Sequence, residues 1–527
     1  MPLRDWFKFK RKSGAKAQLG VGFRQYASAR PSRLTLWQAS NTSADSELTS
    51  SLTGLRTRSR QLVRDASYAK RARKLIIDNV IGTGIGLQVL IESTRGVMRT
   101  QANDDIEAAF SRWARADSCH TGGRLCFADI ERIAMGEVFE AGEVFIRKHY
   151  SAFGKSDVPL ALEVIEGERL AGELMSPNIS ALGTNELRMG IEVDQYGRPV
   201  AYHIKKRMPS EIAYSASVAD YVERVPADQI IHLAIIDRWP QTRGVPWLDA
   251  AAGRLADMNG YSDAEITRAR VQALTVGAIE TPQDVSSFGE TQSDGSAEIE
   301  MQAGVFQRLS PGEKFAPGPS GSPNPALDGF MRYMLREVAA SIPGISYESL
   351  SMDYSQSNYS SSKLALIDIR DAWRHLQTWF IRSFREPIHR EWMQQAVLSR
   401  AVSIPADQYF VDPEKWNAAR FKPRGWTWVD PTKEVQAYKD AVNAGFTTVS
   451  SVIAATGGGV DLQDVLDERA HELSLMEAAD LEFETSPDFY MAKAAPSASP
   501  TSATDPNAAD AMMPDEAMPA SRVIKLR

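Results

Sequence analysis

GISYESLSMDYSQSNYSSSK, residues 344–363, is the stretch on which the reading of this chain turns. It is rich in Ser and Tyr, its only charges are Glu348, Asp353 and Lys363, and it holds no Cys or His to bind a metal or relay a proton. Upstream lies LDGFMRYMLREVAASIP (327–343) and downstream a helically periodic run from Leu364 to Arg400, so a polar surface loop is expected between two long helices. Neutral hydrogen-bonding side chains let such a surface slide past a partner without gripping it.

Working outward, Leu366, Ile369, Trp373, Leu376, Phe380 and Phe384 recur every three or four residues, which gives the downstream helix one buried face. Pro387 has no N–H to bond backwards, so a bend is expected there. Before the loop, the small-residue run 247–276 reads as a long helix. A Gly- and Pro-rich outcrop follows at 277–325, in which MQAGVFQRL (301–309) is the clearest strand, and helix resumes over 326–343. The C-terminal part, DPTKEVQAYKDAVNAGFTTVSSVIAATGGGVDLQDVLDERAHELSLMEAADL, predicts three helices split near Gly445 and at 457–459.

The first half reads differently. SRQLVRDASYAKRARKLIIDNVIG (59–82) predicts one amphipathic helix stopped by Gly82, and 103–118 and 127–141 carry further helical patterns. EVFIRKHY, LALEVIEGERL, GIEVDQYGRPVAYHIKKR and QIIHLAII then read as strands, with a turn at 195–199. The fold class expected is α+β, mainly α.

At 527 residues the chain exceeds what one core normally organises, which implies several modules. The formal charge of −7 is uneven: nine Lys or Arg against one Asp over 1–33, and nine acids against one Lys over 477–520. A basic arm is expected over 1–50 and a disordered acidic, Ala/Pro-rich tail over 476–527. No run approaches the ~18 apolar residues a membrane helix needs, and no secretory signal follows the basic start. Cys119 and Cys126, seven residues apart with no His cluster near them, read as reduced thiols.

Chemistry-bearing motifs are few in this sequence. GTGIG at 82–86 misses the dinucleotide spacing, no phosphate-cradling GxxxxGK[ST] exists, and the seven histidines form no metal-ligating pair. Ser360–Lys363 matches SxxK, in which the Lys would activate the Ser for acyl transfer, but in a Ser-rich loop the match is cheap and no KTG element accompanies it. The acidic pairs Asp104–Asp105, Glu163–Glu166 and Glu348–Asp353 have simpler solvated explanations. The tryptophans at 373, 379, 392, 416, 426 and 428 suit packing better than base stacking. No catalytic residue, cofactor or metal is expected.

RARKLIIDNVIGTGIG (71–86), GEVFIR (142–147), GIEVDQYGRPVAYHI, VPADQIIHL, DRWPQTRGVPWL, the 344–366 block and GWTWVDPTKEVQAY together resemble the lambda-like family of tailed-bacteriophage portal proteins, over roughly 20–475. The resemblance implies an elongated subunit that assembles as a homo-oligomer, a ring of about twelve copies at one capsid vertex, with a channel for double-stranded DNA. It implies a wing (51–245), stem helices (246–276 and 326–343), a clip (277–325), a tunnel loop (344–363), a long kinked helix returning to the wing (364–430) and a crown (431–475). Tyr347, Asp353, Tyr354, Ser355, Asn358, Tyr359, Ser360 and Lys363 would then face the DNA. The partners implied are a terminase large subunit at the clip, the major capsid or scaffold protein and head-completion adaptor proteins, in the virion and, during assembly, the host cytoplasm. The competing readings are another capsid-vertex or head-completion protein and the SxxK enzyme.

Overall fold

A computed structural model of the chain describes residues 41–94, 97–98, 100–174, 185–208, 221–274, 277–280, 290–291, 297–298, 314–317, 324–356, 358–426, 431–456 and 462–478. Helix α1 (Ala44–Asp65) starts where extended Ser43 accepts the Ser46 N–H through its hydroxyl at 3.2 Å, with Asp45 and Glu47 facing the positive end of the helix dipole. Helix α2 (Ser67–Val80) leads into strand β1 (Gly86–Val89), followed by α3 (Thr100–Trp113) and α4 (Phe127–Ala141). The single helix expected over 59–82 is thus two. The break at Ala66, which is extended and 3% exposed, carries neither Gly nor Pro. Packing of both helices on α4 sets it, and the small side chain lets them turn there. Gly82 ends the run as expected, at φ +65°.

From α4 the chain turns at Gly142, φ +86°, into β2 (Glu143–His149). This strand is the centre of an antiparallel three-stranded sheet, flanked by β3 (Ala161–Glu166) and, later in the chain, by Ile230–Ala234. A second antiparallel sheet runs β4 (Glu186–Arg188), β5 (Ile191–Val193), β6 (Pro199–Lys205) and β7 (Val222–Pro226). The expected β5–β6 turn is present: Asp194 Oδ1 accepts the Tyr196 and Arg198 N–H groups, and Gly197 takes φ +80°. The Ile230–Ala234 strand is β8.

The segment 238–247 staples these layers together. Arg238 donates to the Thr42 carbonyl, Thr242 binds Asp45 at the start of α1, and Arg243 reaches the Met189 and Gly167 carbonyls and Glu143. Gly142 and Gly244 press backbone against backbone: a Cβ added at Gly244 would lie 2.1 Å from the Gly142 oxygen.

Helix α5 (Ala252–Leu274) begins five residues later than its sequence pattern suggested, after a turn in which the Asp249 N–H bonds the Pro246 carbonyl. Leu255 and Met258 are its last buried side chains among the described residues; Ile266 and Val271 are exposed. In the outcrop β9 (Gly277–Glu280) pairs antiparallel with β10 (Lys314–Pro317), while the strand expected at 301–309 lies outside the described residues. Helix α6 (Leu327–Ser341) returns antiparallel to α5, as the Arg254–Glu337 ion pair (3.0 Å) and the Tyr261–Phe330 ring contact (4.9 Å) require.

After a short helix α7 (Tyr347–Ser351) comes α8 (Tyr359–Phe380), then one π-helical turn, Ile381–Arg385, and α9 (Glu386–Leu398). Pro387 sits in the first turn of α9. Lacking an N–H, it leaves the carbonyl four residues back without its usual donor, and the widened π turn just before it takes up the misfit. Most of the predicted face is the core: Ile369, Trp373, Leu376, Phe380 and Phe384 are buried, joined by Trp392 and by Phe110 and Trp113 of α3, while Leu366 is only half-buried. Arg385, 3% exposed, is accommodated there by Glu131 (3.3 Å), the Ile85 carbonyl (2.6 Å) and three flanking aromatic rings. Strand β11 (Ala419–Lys422) closes antiparallel on β1, and Trp426 stacks on Trp373 at 5.6 Å.

A second compact unit begins at Ala437, within α10 (Pro431–Asn443). It continues through α11 (Val449–Thr456) and α12 (Leu462–Ala478), and Gly445 at φ +77° makes the first of the two expected breaks. Phe446 is 88% exposed.

Candidate functional site: the braced turn between two helices

The stretch 344–363 is more ordered than a loop. Gly344 enters it at φ +71°, so close to α8 that a Cβ would lie 2.9 Å from the Trp373 ring. Ile345 and Leu350 are buried and anchor it. Between them Ser346 caps α7, its hydroxyl accepting the Ser349 N–H at 3.2 Å while the Ser349 hydroxyl accepts the Ser346 N–H at 3.1 Å. The described non-helical residues are therefore only 352–356 and 358, and α8 already begins at Tyr359. Serines that look like loop composition serve here as helix caps.

Met352 ends α7 in the left-handed conformation, φ +60°, and is 63% exposed. Asp353 follows, and its groups are taken up inside the turn. Its N–H bonds the Ser351 hydroxyl (3.1 Å), Oδ1 accepts the Ser355 N–H (3.0 Å), and Oδ2 accepts the Tyr347 hydroxyl (2.8 Å). Arg332 of α6 lies 3.6 Å from Oδ2 while also holding Asp328 at 3.0 Å. The bonds from Ser355, then Tyr347 and the charge of Arg332, hold the Asp353 carboxyl down at about 2. Arg336 lies over the Tyr347 ring at 5.2 Å, and Arg71 of α2 donates to the Ser349 carbonyl at 3.1 Å.

Of the residues the sequence singled out, Tyr354, Ser355 and Asn358 are exposed on the tip, together with Gln356. Tyr347 and Asp353 turn inward and bond each other, and Lys363 is half-buried on α8. Tyr359 and Ser360 lie in the first turn of α8; their side chains are outside the described set, and with them the SxxK geometry. Sequence reading missed Arg332, Arg336 and Arg71, which come from two other helices and leave no mark in the spacing of the stretch itself.

The tip thus offers neutral donors and acceptors, one phenol and one thioether. Elsewhere, Glu163 is engaged by His149 (3.0 Å) and Arg169 (2.9 Å), a structural pairing rather than an acid–base dyad. Both thiols are free. Cys119 bonds the Ala114 and Leu125 carbonyls, and burial pushes it up to about 12, while Cys126 caps α4 with Asp129. Among the described residues no group of three His, Cys, Asp or Glu side chains is placed to hold a metal, and no helix is long and apolar enough to cross a membrane.

Residues 30–377 match the family model described as phage portal protein, lambda family. A probable portal protein of Halomonas phage phiHAP-1 is 28% identical over 433 residues, 80% of each chain. The portal protein B of Escherichia phage lambda is 22% identical over 500 residues, 85% of this chain and 89% of that one. Among solved structures, a chain from the neck of an empty GTA particle computed with C6 symmetry aligns with a TM-score of 0.40 at 16% identity, covering 76% of this chain and 93% of that chain.

Proposed function

The chain belongs to the lambda family of phage portal proteins, and from that premise we propose that about twelve copies close into a ring whose channel is lined by the tip Tyr354–Asn358. The portal role itself, a head–tail connector serving DNA packaging, comes with the family. The observation that carries the placement of the tip is chemical: its exposed side chains are uncharged hydrogen-bonding groups. A conduit needs such groups, because many Lys or Arg contacts to phosphates would release counterions and hold the duplex in place.

Self-assembly is supported by apolar side chains that α5 and α6 leave uncovered, with Phe330 42%, Tyr333 65% and Val271 55% exposed. Neighbouring copies would bury them. On this reading 51–245 is the wing, α5 and α6 the stem, 277–325 the clip that docks a terminase large subunit, the α8–α9 pair the helix behind the tunnel loop, and 431–475 the crown. The capsid or scaffold protein and the head-completion proteins contact other faces. The protein works without catalysis or cofactor, at the vertex of the virion after assembly in the host cytoplasm. Imaging of the purified protein tests it: closed rings with an axial hole support the reading, and monomers at micromolar concentration oppose it.

A further inference from the structure

Between α7 and α8 the described residues are 352–356 and 358, and Asp353 ties this tip to the rest of the subunit. We propose that Asp353 is a positioning residue for passage of DNA: clamped between Tyr347 and Arg332, it fixes the direction in which Tyr354, Ser355 and Asn358 leave the turn. The inference rests on the channel-facing reading of the tip and deepens it by separating the residues that touch the duplex from those that aim them.

Three observations carry it. The carboxylate bridges the tip and the body of the subunit, one oxygen accepting the Ser355 N–H in the exposed turn and the other accepting the Tyr347 hydroxyl and lying 3.6 Å from Arg332. An unpartnered aspartate would also repel phosphate, whereas here Arg332 of α6 lies 3.6 Å from the carboxylate and counters its charge, and Arg336 lies over the ring of its partner Tyr347. Finally, Met352 holds a left-handed backbone that a residue with a side chain adopts at a cost. The bonds that keep it there flank it directly: its own N–H to the Glu348 carbonyl and the Asp353 N–H to Ser351. Asp353 thus joins α6 and α7 to the tip, and Arg71 ties the same turn to α2.

The brace has a consequence a contact residue would not have. Loss of Asp353 acts through the tip side chains it aims, so the part that acts through Tyr354 is masked once that side chain is gone. The test uses full-length rings carrying Asp353→Ala, Tyr347→Phe, Tyr354→Gly, or Asp353→Ala with Tyr354→Gly. Each is measured for ring formation, for amide exchange over 350–358 and for the amount of DNA packaged per unit time. We expect rings throughout, loss of Ser355 amide protection in Asp353→Ala, and about tenfold slower packaging in Asp353→Ala with a smaller loss in Tyr347→Phe. The double variant should lose less than the two single losses combined, because the part of the Asp353 effect that acts through Tyr354 is already gone.

Asp353→Ala rings that package at the normal rate while Tyr354→Gly rings do not would overturn the positioning role and leave the channel-facing tip standing. Additive losses in the double variant, or unchanged amide protection at Ser355, would overturn it as well. Normal packaging by Tyr354→Gly would instead remove the channel reading on which the proposal depends. If Asp353→Ala rings fail to form, Tyr347→Phe carries the same comparison, because it deletes one hydroxyl and keeps the ring beneath Arg336.

Discussion

Arg243 donates from Nε to Glu143 at 2.7 Å, across 100 residues of sequence, and neither side chain is more than 2% exposed. The contact joins DRWPQTRGVPWL to GEVFIR, two of the stretches on which the family resemblance rests. Arg56 of α1 (2.6 Å), His232 of β8 (3.0 Å) and the Gly244 N–H (2.9 Å) complete the shell of Glu143, whose carboxyl is held well below the usual range by the two guanidiniums despite full burial. One carboxylate thereby fastens the first helix, the central strand and the segment leading into α5.

Removing one partner of this cluster strands charge in the interior. Arg243→Ala should cost about 3–5 kcal/mol, read as a fall in the denaturant midpoint of unfolding. A loss under about 1 kcal/mol would mean that Arg56 alone satisfies Glu143.

The close approach of Gly142 and Gly244 leaves no room for a methyl group. At Gly142 a Cβ would meet the Val245 and Gly244 carbonyl carbons at 2.5 and 2.6 Å, and the residue sits at φ +86° besides. Gly142→Ala and Gly244→Ala should each destabilise by more than about 2 kcal/mol, whereas Gly54→Ala, with nothing within 4 Å, should not. Equal melting temperatures for all three would refute the packing described.

His389 lies in the aromatic core beside Phe110, Trp392 and Phe421, and burial, with the nearby charge of Arg385, pushes it down to about 3. The folded protein keeps the ring neutral, while the unfolded chain takes up a proton below its ordinary value near 6.5. This contribution to stability is therefore complete above pH 6.5 and erodes as pH falls toward 3, by at most about 1.4 kcal/mol per pH unit. Melting curves from pH 7 to 4 should show that slope, and His389→Leu should flatten it while costing little at pH 8. An identical acid slope in the variant would assign the effect to other groups.

Much of the fold was legible because it is local. Ile369, Trp373, Leu376, Phe380 and Phe384 announce a buried helix face by spacing alone, and Asp194 to Gly197 announce a turn by chemistry. What escaped depends on distant partners. The β1–β11 pairing, the break at Ala66 and the shell around Glu143 are decided by packing between segments far apart in sequence, which periodicity does not encode. At the tip, the exposed Tyr354, Ser355 and Asn358 followed from composition. The inward turn of Tyr347 and Asp353 did not, because Arg332 and Arg336 sit on another helix.

Charge is the most direct probe of the proposed channel-facing tip. Lys introduced at Ser355 and Ser357 would place positive groups around the channel in every copy of the ring without touching the anchoring residues Ile345 and Leu350. Packaging by Ser355→Lys/Ser357→Lys rings should be slower than by unaltered rings at low salt, with the difference shrinking as ionic strength rises and the Debye length contracts from about 10 Å at 0.1 M. Packaging rates measured at two salt concentrations that match the unaltered rings at both would show that the tip does not face the duplex.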